Sequence, residues 1–120
     1  MALRPKVLVI EDTPVVSDIL VSIVRRESYD PVIVYDGQEA KDYIESGTVP
    51  DAVFLDLLLP YVDGFELLNQ MRKTEGWQNV PIIVVSAKSQ EKDVIRALDM
   101  GAIDYVTKPF RTGELAARLR

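Results

Sequence analysis

The sequence predicts an α/β fold, a doubly wound (βα)5 unit with a five-stranded parallel sheet between layers of helices. Three observations carry this. Four short runs, Val7-Leu8-Val9-Ile10, Val32-Ile33-Val34-Tyr35, Ala52-Val53-Phe54-Leu55 and Ile82-Ile83-Val84-Val85, are apolar throughout and rich in β-branched residues. Runs that do not alternate read as strands covered on both faces. Helical patterns with readable ends lie between them, and a weaker fifth strand candidate spans Ile103 to Val106. Strand and helix alternating five times give a parallel sheet sandwiched by helices.

The elements follow in order. After the first strand, Thr13 can cap a helix with Pro14 at its first position, and Val15, Val16, Ile19, Leu20, Ile23 and Val24 form a core-facing stripe at helical spacing. Arg25 and Arg26 mark its solvated end. Pro31, Pro50 and Pro81 stand just before strands, where a missing donor is tolerated. Asp36-x-x-Glu39 and Asp63-x-x-Glu66 have the form of capping boxes, and Gly47 and Gly101 stand where helices end. Trp77 is predicted to pack in the loop before the fourth strand. The last residues, Glu114 to Arg120, stop inside a helical pattern with no capping glycine or proline, so the natural polypeptide is expected to continue.

Bulk composition excludes several classes. At 120 residues and 48% hydrophobic, residues 1–120 read as a single domain with a real core. A net charge of −5 argues against nucleic-acid binding, which needs a basic face. Without cysteine there is neither a disulfide framework nor a thiolate metal site, and without histidine no Ser-His or Cys-His catalytic pair. The first apolar run is only four residues long and is ended by Glu11 and Asp12, too short for a signal-peptide core or a membrane span. A cytoplasmic protein is the expectation.

Ligands on such sheets bind at the carboxyl ends of the strands. The first strand ends in Glu11 and Asp12, the third in Asp56, the fourth in Ser86 and the fifth in Thr107-Lys108-Pro109-Phe110. Singly, an acid after a strand is most often a turn residue and a lysine a solvated side chain. Together on one rim, three carboxylates repel one another and call for a cation between them. All-oxygen ligation suits Mg²⁺, and a lysine nearby can hold an anionic oxygen.

These pieces resemble the receiver domains of bacterial two-component response regulators. The matching residues are Val7-Leu8-Val9-Ile10-Glu11-Asp12, Leu55-Asp56-Leu57-Leu58-Leu59-Pro60 with Asp63-Gly64, Val85-Ser86-Ala87, Gly101-Ala102 with Asp104-Tyr105, and Lys108-Pro109-Phe110. The resemblance implies a flavodoxin-like strand order, 2-1-3-4-5, and a role for each position. Asp56 is implied as phosphoacceptor, with Glu11, Asp12, Asp56 and the backbone carbonyl of Leu58 as Mg²⁺ ligands. Ser86, with Ala87 beside it, Tyr105 and Lys108 are implied as the phosphate-binding and switch residues, with a cis peptide before Pro109. Glu11 departs from the aspartate more often found there, which bears on the fine geometry of metal binding.

The implied reaction is transfer from the phosphohistidine of a sensor histidine kinase or phosphotransfer protein to Asp56, followed by slow self-catalysed hydrolysis. The phosphoryl group adds roughly −1.5 to −2 charge. Ser86 and Tyr105 would respond, changing the surface of the fourth helix, fifth strand and fifth helix. That face is also the candidate for a phosphorylation-dependent homodimer. Asp99, Asp104, Glu114, Arg118 and Arg120 match charged positions that pair across it in the winged-helix transcription-factor branch, while Val94 replaces an expected basic residue. Leu58 and Lys88 flank the approach of hydrolytic water, and neither can accept its hydrogen bond, which predicts a long-lived phosphoform.

Other readings fit less well. An aspartate-nucleophile phosphatase wants its nucleophile after the first strand and a second acid two residues on, where this chain has Leu58. A flavin binder wants a Ser/Thr/Gly-rich phosphate loop in place of Glu11-Asp12-Thr13-Pro14. A degenerate receiver, serving only for docking, would have lost Asp56, Lys108 or the acidic pair.

Overall fold

The computed structural model describes residues 4–120. Strands and helices alternate as β1 (Lys6–Ile10), α1 (Pro14–Arg26), β2 (Asp30–Val34), α2 (Gly37–Glu45), β3 (Ala52–Leu55), α3 (Gly64–Lys73), β4 (Ile82–Ser86), α4 (Glu91–Asp99), β5 (Asp104–Thr107) and α5 (Thr112–Leu119). All pairings are parallel, in the order β2-β1-β3-β4-β5, so the doubly wound expectation holds. The order reverses between β1 and β3, which makes the crevice above their carboxyl ends the natural ligand site.

The strand runs are continuously apolar because successive residues feed two separate cores. Leu8, Ile10, Val53, Leu55, Ile82 and Val84 face the layer that holds Leu67, Leu68 and Met71 of α3. Val7, Val9, Phe54, Ile83 and Val85 face Leu20, Ile23 and Val24 of α1 and Leu115 and Leu119 of α5. Trp77 is fully buried, edge-on to Tyr43 with ring centroids 6.3 Å apart. The Arg72 guanidinium gathers this region: it donates to the carbonyls of Trp77 (2.9 Å), Val80 (2.9 Å), Gln78 (3.2 Å) and Gly101 (2.5 Å). α4 is held more lightly, with Ala97 its one buried residue and Ile95 and Leu98 exposed.

Several boundaries differ from the sequence reading. β2 starts at Asp30, takes Pro31 inside it and stops before Tyr35. It is an edge strand paired only with β1, where an absent donor can face solvent. β5 starts one residue late, leaving Ile103 exposed. In α1 the predicted stripe is core only in part: Val15 and Ile19 are exposed, and the buried face is Ser17, Leu20, Val21, Ile23 and Val24. The first turn of α1 follows directly on the end of β1 and so stands at the rim of the sheet.

The caps also differ in detail. Thr13 occupies the N-cap of α1 without a side-chain cap bond. Asp36 accepts from the Glu39 N–H at 2.8 Å, while the Glu39 carboxylate reaches back to the Tyr35 N–H at 3.2 Å. Asp63 caps α3 through the Phe65 N–H at 2.8 Å, without Glu66. Gly47 and Gly101 adopt φ of +88° and +105°, the left-handed region that ends helices. Among the described residues, no helix is long and apolar enough to cross a membrane.

Candidate functional site

Three carboxylates meet where β1 and β3 end. Glu11, Asp12 and Asp56 each offer an oxygen within 4.8 Å of the others. Glu11 is fully buried and Asp56 is 4% exposed, so their charge is poorly solvated. Lys108, brought from the end of β5, answers it: its Nζ donates to Glu11 Oε1 at 2.6 Å and to Asp56 Oδ2 at 3.0 Å. The Glu11 Oε2 atom accepts from the Thr13 N–H at 3.2 Å, and Asp56 Oδ1 from the Leu58 N–H at 3.0 Å.

The electrostatics are those of a cluster short of positive charge. Burial pushes the Glu11 carboxyl up from its ordinary range, and the neighbouring Asp56 pushes it further, against the pull of Lys108. Burial alone would lower the Lys108 ammonium, but its hydrogen bonds to Glu11 and Asp56 outweigh that and raise it. Three carboxylates against one ammonium leave a charge of −2 when all are ionised. A hard divalent cation fits that deficit and that all-oxygen donor set.

The remaining predicted residues lie around this centre. Ser86, buried at the end of β4, accepts from the Lys88 N–H at 3.3 Å. Tyr105 donates from its hydroxyl to the Lys88 carbonyl at 2.7 Å, tying β5 to the loop after β4. Ala87 is exposed at the start of that loop. The Lys108–Pro109 peptide is cis. Leu58, about half exposed, lines a cavity of about 510 Å³ with Asp12, Pro60, Tyr61 and Lys88, which is the mouth of the site.

Two features escape a reading of the sequence. Gly64 packs so closely on the β3–α3 loop that a Cβ there would lie 2.4 Å from Leu57 Cα and 2.7 Å from the Asp56 carbonyl oxygen. The second is a three-residue γ-turn around Tyr61, closed by the Val62 N–H donating to the Pro60 carbonyl at 2.9 Å. Tyr61 has φ of +72°, the rarer form of this turn. A side chain held there costs about 1–3 kcal/mol. Nothing in the sequence reading marked this turn or its hand.

The family model for the response regulator receiver domain matches residues 7–120. The chain belongs to that family. Solved receivers are similar over nearly the whole length. That of a sensor histidine kinase from Pseudomonas aeruginosa PAO1, with a magnesium ion coordinated in its active site cleft, is 32% identical over 97% of this chain and 94% of that one, with a TM-score of 0.85. That of a Francisella response regulator is 33% identical over 97% and 93%, also at 0.85. The BeF3-activated N-terminal receiver domain of RstA from Klebsiella pneumoniae is 33% identical over 96% and 95%, at 0.84. This receiver is therefore a module of two-component signalling, its candidate site standing at the switch-point crevice of its sheet.

Proposed function

We propose that this receiver accepts a phosphoryl group on Asp56 from the phosphohistidine of a histidine kinase or phosphotransfer protein. The observation that carries the reading is Asp56 itself, nearly buried, 3.0 Å from Lys108 and within one 4.8 Å cluster with Glu11 and Asp12. Glu11, Asp12, Asp56 and the Leu58 carbonyl would hold Mg²⁺, which when bound supplies charge to offset the phosphoryl oxygens. An Asp56 carboxylate oxygen forms the new P–O bond as the P–N bond of the donor breaks, and the imidazole leaves with the electron pair and takes up a proton. Lys108 holds an equatorial phosphoryl oxygen, so that catalysis is placement and charge compensation.

The output follows from the same neighbours. The Ser86 hydroxyl turns to donate to a phosphoryl oxygen, and Tyr105 turns into the space it leaves. The hydrogen bond from Tyr105 to the Lys88 carbonyl and the light anchoring of α4 support this route, since a lightly held helix is the cheaper one to move. The α4–β5–α5 face then changes and controls an output, by a symmetric dimer if the chain belongs to the winged-helix branch. Residues 1–120 act as one cytoplasmic domain that does not itself bind nucleic acid, in keeping with the net charge of −5.

Incubation with acetyl phosphate and Mg²⁺ tests the reading. One base-labile phosphoryl group is expected in the wild type and none in Asp56→Asn. Label that persists in Asp56→Asn would move the acceptor elsewhere, and a wild type that takes no label would return the chain to a docking role.

A further inference from the structure

The strained turn at the mouth of the site has no part in the chemistry just described. Tyr61 is 86% exposed, so its ring gains little from burial in this fold. Yet the backbone holds it at φ +72°, where a glycine would sit without strain. The turn is braced from behind. The Pro60 carbonyl accepts both from the Val62 N–H (2.9 Å) and from the Gly37 N–H (3.1 Å). Gly37 has no Cβ, and one there would fall 2.5 Å from Val62 Cβ. Two glycines, Gly37 and Gly64, thus permit the packing that fixes this loop, and the loop presents one aromatic ring to solvent. Strain that persists at the edge of a site, with its surroundings built to keep it, points to a use for the strained residue.

The use follows from where the ring stands. Asp56 is 4% exposed and clusters within 4.8 Å of Asp12, and Asp12 lines one cavity with Tyr61, Leu58 and Lys88. These 120 residues contain no histidine, so a phosphohistidine reaches Asp56 only from outside this domain. A protein that delivers its imidazole through this mouth must lay its own surface on the rim. The geometry points to Tyr61 as a recognition residue for the phosphodonor protein: a pre-placed aromatic anchor that packs against the surface beside the donor histidine. A rigid aromatic loses little conformational freedom on docking, which is why such side chains dominate binding energy at interfaces. A small phosphodonor brings no protein surface to set against the ring. The inference rests on the phosphotransfer reading above and adds the residue by which protein donors are distinguished from small ones.

The experiment compares two donors on four proteins: wild type, Tyr61→Phe, Tyr61→Ala and Tyr61→Gly. The small donor is acetyl phosphate with Mg²⁺. The protein donor is whichever autophosphorylated histidine kinase of the source organism transfers fastest to the wild type at short times. With acetyl phosphate all four proteins should take label at rates within about twofold, because the ring does not touch the reacting atoms. With the kinase, Tyr61→Ala and Tyr61→Gly should lose about tenfold or more in kcat/KM, carried by KM, as for removal of an interface anchor. Tyr61→Phe should keep most of the rate. Tyr61→Gly removes the backbone strain and should melt no lower than the wild type, so its loss of transfer cannot be a loss of fold.

Kinase transfer unchanged in both Tyr61→Ala and Tyr61→Gly overturns the proposal. So does an equal fall with both donors, which would place the effect at Asp56. Label from acetyl phosphate but from no kinase overturns it as well, and so does normal transfer with altered sedimentation, which would assign the ring to a second copy of this chain. No label from either donor in the wild type is the separate result that removes the phosphotransfer reading itself.

Discussion

Lys108 lies between two carboxylates, 2.6 Å from Glu11 and 3.0 Å from Asp56, and that arrangement fixes what substitutions at the site do. Lys108→Ala leaves a buried carboxylate without its cation, a change of about 3–5 kcal/mol when one partner of a buried pair is removed. The expected outcome is a folded protein that still takes label from acetyl phosphate but shows no phosphorylation-dependent change in Tyr105 fluorescence or hydrogen exchange. An unaltered response in Lys108→Ala would remove Lys108 from the switch. Leu58 and Lys88 are expected to set the lifetime of the phosphoform. Both line the mouth of the site, and neither accepts a hydrogen bond from water through its side chain. A Leu58→Asn, Lys88→Glu double variant should lose its phosphoryl group several times faster than the wild type. Equal decay rates would show that these positions do not control hydrolysis.

At the scale of elements, the caps and tight contacts are where the sequence is legible and where it stops being so. Asp36 and Asp63 announce their helices because a short acceptor at an N-cap answers a need every helix has. Which donor each one takes depends on loop geometry, so the Glu39 return bond went to Tyr35 and the Glu66 bond did not form. The α1 stripe misled at Val15 and Ile19, since helical spacing tells which residues share a face and not whether the sheet extends beneath them. Gly64→Ala should destabilise the fold by about 1–3 kcal/mol, the usual cost of overpacking, and should slow phosphorylation by shifting the Asp56 backbone. Denaturant unfolding alongside acetyl phosphate labelling checks both effects. Arg72→Lys offers a contrast remote from the site. A lysine cannot fork across the four carbonyls that Arg72 holds, so a loss of about 2 kcal/mol is expected with labelling unchanged. A stable Arg72→Lys protein would mean that water replaces those bonds.

For the whole molecule, topology is what made the site readable. Glu11, Asp56, Ser86 and Lys108 span most of the chain, yet a parallel sheet delivers every strand end to one rim, so their convergence follows from the strand pattern alone. The side-chain pairing within the rim does not follow from it, because which carboxylate Lys108 chooses depends on distances of a few ångströms. The proposed dimer face shows the same limit. Arg118 pairs within the chain, with Asp104 at 2.5 Å and Glu114 at 3.0 Å, and Arg120 with Glu27 at 2.8 Å. These are solvent-exposed pairs of little individual worth, and a partner chain can exchange them. Beryllofluoride with Mg²⁺ should therefore shift sedimentation from monomer toward dimer. A monomer under both conditions would leave the switch without this output.

The claim on which the rest depends is that Asp56 is the residue that carries the phosphoryl group. Borohydride reduces an aspartyl phosphate to homoserine and leaves a free carboxylate untouched, so it records the acceptor in the covalent structure. After treatment with acetyl phosphate and Mg²⁺, then borohydride, peptide mass spectrometry should find homoserine at position 56 and aspartate everywhere else. Homoserine at Asp12 or another aspartate, or aspartate retained at position 56 in protein that had taken up label, would contradict the account.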